Sequence, residues 1–302
     1  MDNKIPEFFN KKLINQYGED VTLQIIDGYL QKRNLTFRIN SLKTTKEQVV
    51  DFLKMKNIAY KEIGWYEDAL IIENIDESCI REFDMYKNGE IYLQSLSSMI
   101  PPLIVEPKDN ENILDMAAAP GGKTTEMYAL SNGKANITAC EKNKIRAERL
   151  KYNIEKQGAT RIGLLMQDAR RLDPFFMFDK ILLDAPCSGS GTIDLNDEKS
   201  ILNFSEDLVN RSSKVQRELI DKALKHIKVG KEMVYSTCSI LYEENEKYLE
   251  ELLKKKIIEI IPIDMSEFEE IPKLPVTIKG TLCVCPTKLY EGFYVAKFKR
   301  IK

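Results

Sequence analysis

The sequence predicts an α/β fold: a mostly parallel, doubly wound sheet closing on antiparallel strands, preceded by a small α+β unit. Three observations lead there. After residue 110, short apolar runs alternate with long helical patterns. The stretch "LDMAAAPGGKTT" puts small residues and two glycines between the first of those runs and a helix. The residues able to do chemistry, from Asp115 to Lys123 and then Glu141, Asp168, Asp184, Cys187 and Cys238, all stand at the ends of the runs.

Taken in order, the chain opens on a helical segment, residues 1–30, with its helix around Leu23–Leu30. In "NLTFRINSL", Leu35, Phe37 and Ile39 alternate with polar residues as in a half-buried strand. Thr45 is a candidate N-cap for a helix that buries Val49, Phe52 and Leu53. "IAYKEI" and "ALIIENI" are two further strands. Together they make an α+β domain over 31–100, and the prolines of "SMIPPLIV" mark its junction with a domain over 101–302. There "NILDMA", "NITACE", "RIGLLMQD", "KILLDAP" and "EMVYSTC" are strands, with helices between them, notably Ser205–Lys228 and Glu243–Lys255. Right-handed crossovers place the C-terminal ends of such strands along one edge, where doubly wound sheets bind ligands. "GTLCVCP" and "GFYVAKFK" are too close together for a helix between them and pair antiparallel.

Composition narrows the classes. At 43% hydrophobic and 30% charged residues over 302 positions, the chain is globular. "MDNKIPEFFNKK" has no apolar core of leader length, and no run is long enough to span a membrane. A cytoplasmic monomer with free thiols is expected, with no membrane partner. With one histidine and scattered cysteines no metal is expected either. His226 is placed near a helix C-terminus, solvated or facing the dipole; Phe175, Phe176 and Phe178 are placed as packing residues. The net charge is −2, yet Lys32–Glu62 and Lys134–Arg161 each hold eight Lys/Arg against three Asp/Glu. These segments, with Lys32, Arg33 and Arg38 among them, suit a phosphate-bearing partner.

In "DMAAAPGGKTT" the backbone of Ala117, Ala118, Ala119, Pro120, Gly121, Gly122 and Lys123 is free to approach a ligand, and the helix that follows presents N–H groups. A nucleotide P-loop is excluded, because position 117 is Ala where its first glycine belongs. Glu141, about 20 residues on, suits a ribose diol. NAD and S-adenosylmethionine both carry that ribose. The repeated text Cys-Ser at Cys187 and Cys238 separates them, since dehydrogenases need no such pair. Methylation at C5 of a pyrimidine does need a thiolate, which adds to C6 and makes C5 nucleophilic. Lys123 is a candidate for lowering the thiol pKa, and Asp184 for binding the amino edge of the base.

The segments "LDMAAAPGGKTT", "DAPCSGSGT", "VYSTCS" followed by "EENE", and "EGFYVAKFK" resemble the NOL/NOP/Sun RNA cytosine-5 methyltransferases over residues 30–302. That resemblance implies a Rossmann-like class I methyltransferase sheet behind an RRM-like domain that faces RNA. It implies Cys238 as nucleophile and Cys187 as the residue assisting product release, together with Asp184 and Lys123. S-adenosylmethionine is then held by Ala117–Lys123, Glu141, Arg146, Asp168 and Asp184. The implied substrate is rRNA, with tRNA as the alternative and a non-catalytic RNA-binding assembly factor as the other class. Asp194 stands where the family often has an arginine, and the C-terminal RNA-binding domain of many relatives is not in this sequence.

Overall fold

A computed structural model describes residues 5–197 and 199–302. Residues 1–4, the start of the stretch read for a leader, lie outside the described residues, as does 198. The chain divides into a continuous unit, Asn34–Leu182, and a discontinuous unit made of Met1–Arg33 and Leu183–Lys302.

The continuous unit begins with four antiparallel strands, β1 (Leu35–Ile39), β2 (Tyr60–Glu62), β3 (Ala69–Ile72) and β4 (Ile91–Leu93), in the order β2-β3-β1-β4. Helix Lys46–Met55 starts on the expected Thr45, whose hydroxyl accepts from Gln48 N while the Gln48 side chain returns to the Thr45 amide. Phe37 and Ile39 of β1 pack on Val49 and Leu53 of that helix, all at most 1% exposed. β4 had no alternation in the sequence to announce it. "SMIPPLIV" is a helix, Leu96–Val105, with Pro101 and Pro102 inside it. Eight of its ten residues are buried, and that burial offsets the hydrogen bonds the prolines cannot make.

The same unit then lays out β5 (Asn112–Asp115), β6 (Asn136–Cys140), β7 (Ile162–Leu165) and β8 (Phe178–Asp184), parallel, in the order β8-β5-β6-β7. Helices Gly122–Leu130 and Lys144–Lys156 are the crossovers. Arg38 corrects the charge reading. It is wholly buried, 3.9 Å from Glu126, and donates to Thr125 Oγ1 at 3.2 Å, so it is no phosphate contact. A guanidinium shut away from water needs acceptors close by, here Gln94 Oε1 as well as Thr125 Oγ1. Phe175 is 94% exposed and Phe176 45%; only Phe178 packs inside.

The discontinuous unit takes the last residues of β8 and adds β9 (Ile227–Thr237), β10 (Ile258–Ile260), β11 (Leu282–Val284) and β12 (Phe293–Arg300). β12 runs antiparallel to β9, β10 and β11. Two N-terminal helices, Glu7–Tyr17 and Glu19–Leu30, belong here, where the sequence had suggested one. They bury Phe9, Leu13, Ile25 and Tyr29 completely. Arg33 donates to the Thr192 and Ile193 carbonyls, at 3.3 and 2.9 Å. His226, in the last turn of helix Glu206–His226, is fully buried rather than solvated. Among the described residues no helix is long and apolar enough to cross a membrane.

Candidate active site

In the continuous unit the loop after β5 is built as a cradle. Gly121 adopts φ +110°, and a Cβ there would come within 2.9 Å of Leu150 Cδ1, so glycine is required. The loop is tied down from several sides. Ala118 N donates to Cys140 O at 2.9 Å, Arg146 Nη2 to Ala119 O at 2.7 Å, and Asn153 Nδ2 to Pro120 O at 2.8 Å. Thr124 donates to the buried Asp115 carboxylate at 2.7 Å. Lys123 opens the helix with its ammonium on Ser98 Oγ at 2.8 Å.

Glu141 follows β6 and is nearly buried. Its Oε1 accepts from Asn143 N at 2.8 Å, while Oε2 lies 3.6 Å from Arg146 Nη1. Ala117–Lys123, Glu141 and Arg146 are thus brought together. Asp168 follows the neighbouring strand β7, and both its oxygens are engaged by Arg170 at 2.6–3.1 Å. That pairing holds the Asp168 carboxyl down at about 2. Cys140 is an inert core thiol, pushed by burial up to about 12. A glycine cradle before a helix N-terminus, next to a carboxylate with an oxygen outside hydrogen-bond reach of its arginine, fits a nucleoside bearing a ribose diol.

The discontinuous unit holds the thiols. Ala185 N donates to Ser236 O at 2.8 Å, and Ser236 Oγ to Asp184 Oδ1 at 2.8 Å, so the ends of β8 and β9 are in register. Just beyond, Cys187 Sγ and Cys238 Sγ lie 3.0 Å apart, both unbridged. The hydrogen bond with Cys238 and then burial push the Cys187 thiol well above its usual range. Either sulfur can donate in this contact. Gly191 N donates to Cys238 O at 2.9 Å, and Gly292 N to Gly191 O at 2.8 Å. A Cβ on Gly191 would sit 1.8 Å from the Gly292 oxygen, so the "SGSG" text lets three backbone segments pack together.

Sequence reasoning missed what surrounds the thiols. Ser188 and Ser239, the residue after each cysteine, both donate to one buried carboxylate, Glu244, at 2.6 and 2.5 Å. The N-terminal helices brace the same loops: Tyr29 donates to Ser190 O at 2.5 Å, Tyr17 to Ile240 O at 2.5 Å, and Gln16 accepts from Tyr242 N at 3.0 Å. The repeated Cys-Ser text was the available signal for the serines; the braces left none.

Residues 102–299 match the family model of 16S rRNA methyltransferase RsmB/F, and residues 5–76 that family's ferredoxin-like domain. The chain belongs to this family. Among curated relatives, ribosomal RNA small subunit methyltransferase F of Shewanella piezotolerans is 32% identical over 97% of this chain and 64% of its own length. The human 28S rRNA (cytosine(4447)-C(5))-methyltransferase is 31% identical over 97% of this chain and 38% of its own. This family member thus spans less than two thirds of the length of those relatives. A methyltransferase homolog protein from Pyrococcus horikoshii superposes with a TM-score of 0.84 at 28% identity, covering 98% of this chain and 95% of that one.

Proposed function

We propose that this chain transfers a methyl group from S-adenosylmethionine to C5 of a cytosine in ribosomal RNA, in the cytoplasm. The observation that carries the reading is the pair of unbridged sulfurs 3.0 Å apart at the ends of adjacent strands, in a member of a family described by rRNA methylation. S-adenosylmethionine supplies an electrophilic methyl group when bound. Ala117–Lys123, Glu141, Arg146, Asp168 and Asp184 are the residues assigned to it, with Glu141 on the ribose diol.

Cys238 is assigned as the nucleophile. Its thiolate bonds to C6, and the C5–C6 π electrons move to C5, which can then accept a methyl group. Before attack, the Cys187 proton stabilises the developing Cys238 thiolate. Once that sulfur is bonded to carbon, the charge holding the proton is gone. Cys187 can then lose it to solvent and take the C5 proton instead. The C5–C6 double bond re-forms and the Cys238 thiolate leaves. Asp184, oriented by Ser236, is assigned to the amino edge of the base, and Lys123 to the electrostatics of the site. Residues 31–100 are assigned to RNA and 101–302 to methyl transfer. A looped or single-stranded target spares the cost of unstacking the base.

The test is methyl transfer from labelled S-adenosylmethionine to small-subunit rRNA isolated from a strain lacking the gene, followed by bisulfite sequencing. One new 5-methylcytosine is expected. Folded protein that labels no position would overturn the reading.

A further inference from the structure

The hydrogen-bond network around the thiols converges on a group the proposed chemistry does not use. Glu244 is 2% exposed. Its Oε1 accepts from Ser188 N at 2.7 Å, and its Oε2 from Ser188 Oγ at 2.6 Å and Ser239 Oγ at 2.5 Å. Burial raises its pKa and the three donors pull it back, the pattern of a carboxyl kept for its acceptors. Its own position is fixed, since Tyr235 donates to its carbonyl and Asn245, next in the chain, donates to Ser239 O at 2.8 Å.

The two sides of this clamp differ. Cys238 follows directly on strand β9, and Ser239 is also held through Ser190 Oγ, at 2.8 Å, and Thr237 Oγ1, which accepts from its amide at 3.2 Å. Ser188, next to Cys187, lies in a stretch outside any strand or helix, and both its amide and its hydroxyl end on Glu244. Neighbouring ties remain, from Gln216 Nε2 to Pro186 O at 3.0 Å and from Gly191 N to Cys238 O at 2.9 Å. Without the carboxylate, though, Ser188 itself loses the partner of both its amide and its hydroxyl.

We propose that Glu244 is a positioning residue for the release half of the reaction: its carboxylate ties the Cys187 loop to the Cys238 loop through the serine that follows each cysteine. This rests on the reading of Cys238 as nucleophile and Cys187 as the base that removes the C5 proton. Glu244 is buried and acts through Ser188: it sets where the Cys187 sulfur stands when the proton has to leave.

The test compares wild type, Glu244→Ala, Glu244→Gln and Ser188→Ala on two RNAs in the presence of S-adenosylmethionine: the unmodified small-subunit rRNA and the same RNA transcribed with 5-fluorocytidine. On the fluorinated RNA, where C5 carries no proton to remove, all four proteins should form the covalent complex at similar rates. On the ordinary RNA, Glu244→Ala should accumulate a complex stable to denaturing gels, with turnover reduced by about 10²-fold, the scale of a misplaced catalytic group. Ser188→Ala should do so more weakly, and Glu244→Gln, which keeps an acceptor for Ser188 N, should recover most of the turnover. Wild type that forms no complex on fluorinated RNA would overturn the parent reading. If wild type traps but Glu244→Ala turns over normally, or fails to trap on the fluorinated RNA, the positioning role is wrong; Ser188→Ala, a milder change, answers the question if Glu244→Ala does not fold.

Discussion

At the residue scale the two cysteines carry opposite expectations. Cys238→Ala removes the sulfur proposed to bond C6, so methylation should be lost with no covalent complex on any RNA. Cys187→Ala leaves that sulfur in place, so the adduct should form and persist in a complex visible on denaturing gels. The reverse pattern would move the nucleophile to Cys187. Glu141→Ala removes charge-assisted hydrogen bonds assigned to the ribose, and calorimetry should find S-adenosylmethionine bound about 1.5–3 kcal/mol more weakly; unchanged affinity would remove Glu141 from that role. Roles could be proposed for these residues from sequence because each lies inside a short stretch whose local text suggests one. None could be for Glu244, because its meaning lies in Ser188, 56 positions away, and in the meeting of two loops. Arg38 misled for a related reason: a charge count cannot see the buried acceptors, Gln94 and Thr125, that receive it in the fold.

At the scale of elements, the buried Arg38–Glu126 pair ties β1 to helix Gly122–Leu130 within the continuous unit. Burial pushes the Glu126 carboxyl up to about 8, against the pull of Arg38 and Gln94. The unfolded value is about 4.3. Between those values the folded chain holds a proton the unfolded chain has lost, so this group's contribution is full below about pH 4.3 and disappears as pH rises through about 8. Urea titrations should show wild type losing stability across that window more steeply than Glu126→Gln; parallel curves would contradict the assignment. The strands and helices with clean periodicity, such as β1 and helix Glu206–His226, were readable from sequence alone. β4, β10 and helix Glu7–Tyr17 were not, although β2 and β11, strands of the same three-residue length, were. The Pro-containing helix Leu96–Val105 shows tertiary burial overriding a local breaker.

At the scale of the whole molecule, a net charge of −2 leaves RNA affinity to local basic surface. Arg38 and Arg33 are engaged internally, but Lys142, Lys144, Arg149 and Lys151 are all exposed on and beside helix Lys144–Lys156. Replacing all four by Gln should flatten the dependence of log K on log salt by about 0.7–0.9 for each phosphate that is no longer neutralised, with calorimetric binding of S-adenosylmethionine intact. An unchanged slope would make these charges a solvated face. The proposed bond between Cys238 and the base can be read directly by mass spectrometry. Wild-type protein is incubated with S-adenosylmethionine and the 5-fluorocytidine-containing small-subunit rRNA, and the complex is digested with protease and nuclease for mass spectrometry. A methylated fluorocytidine is expected on the peptide containing Cys238. The same adduct on the peptide containing Cys187, or no protein–RNA bond in protein that methylates ordinary rRNA, would contradict it.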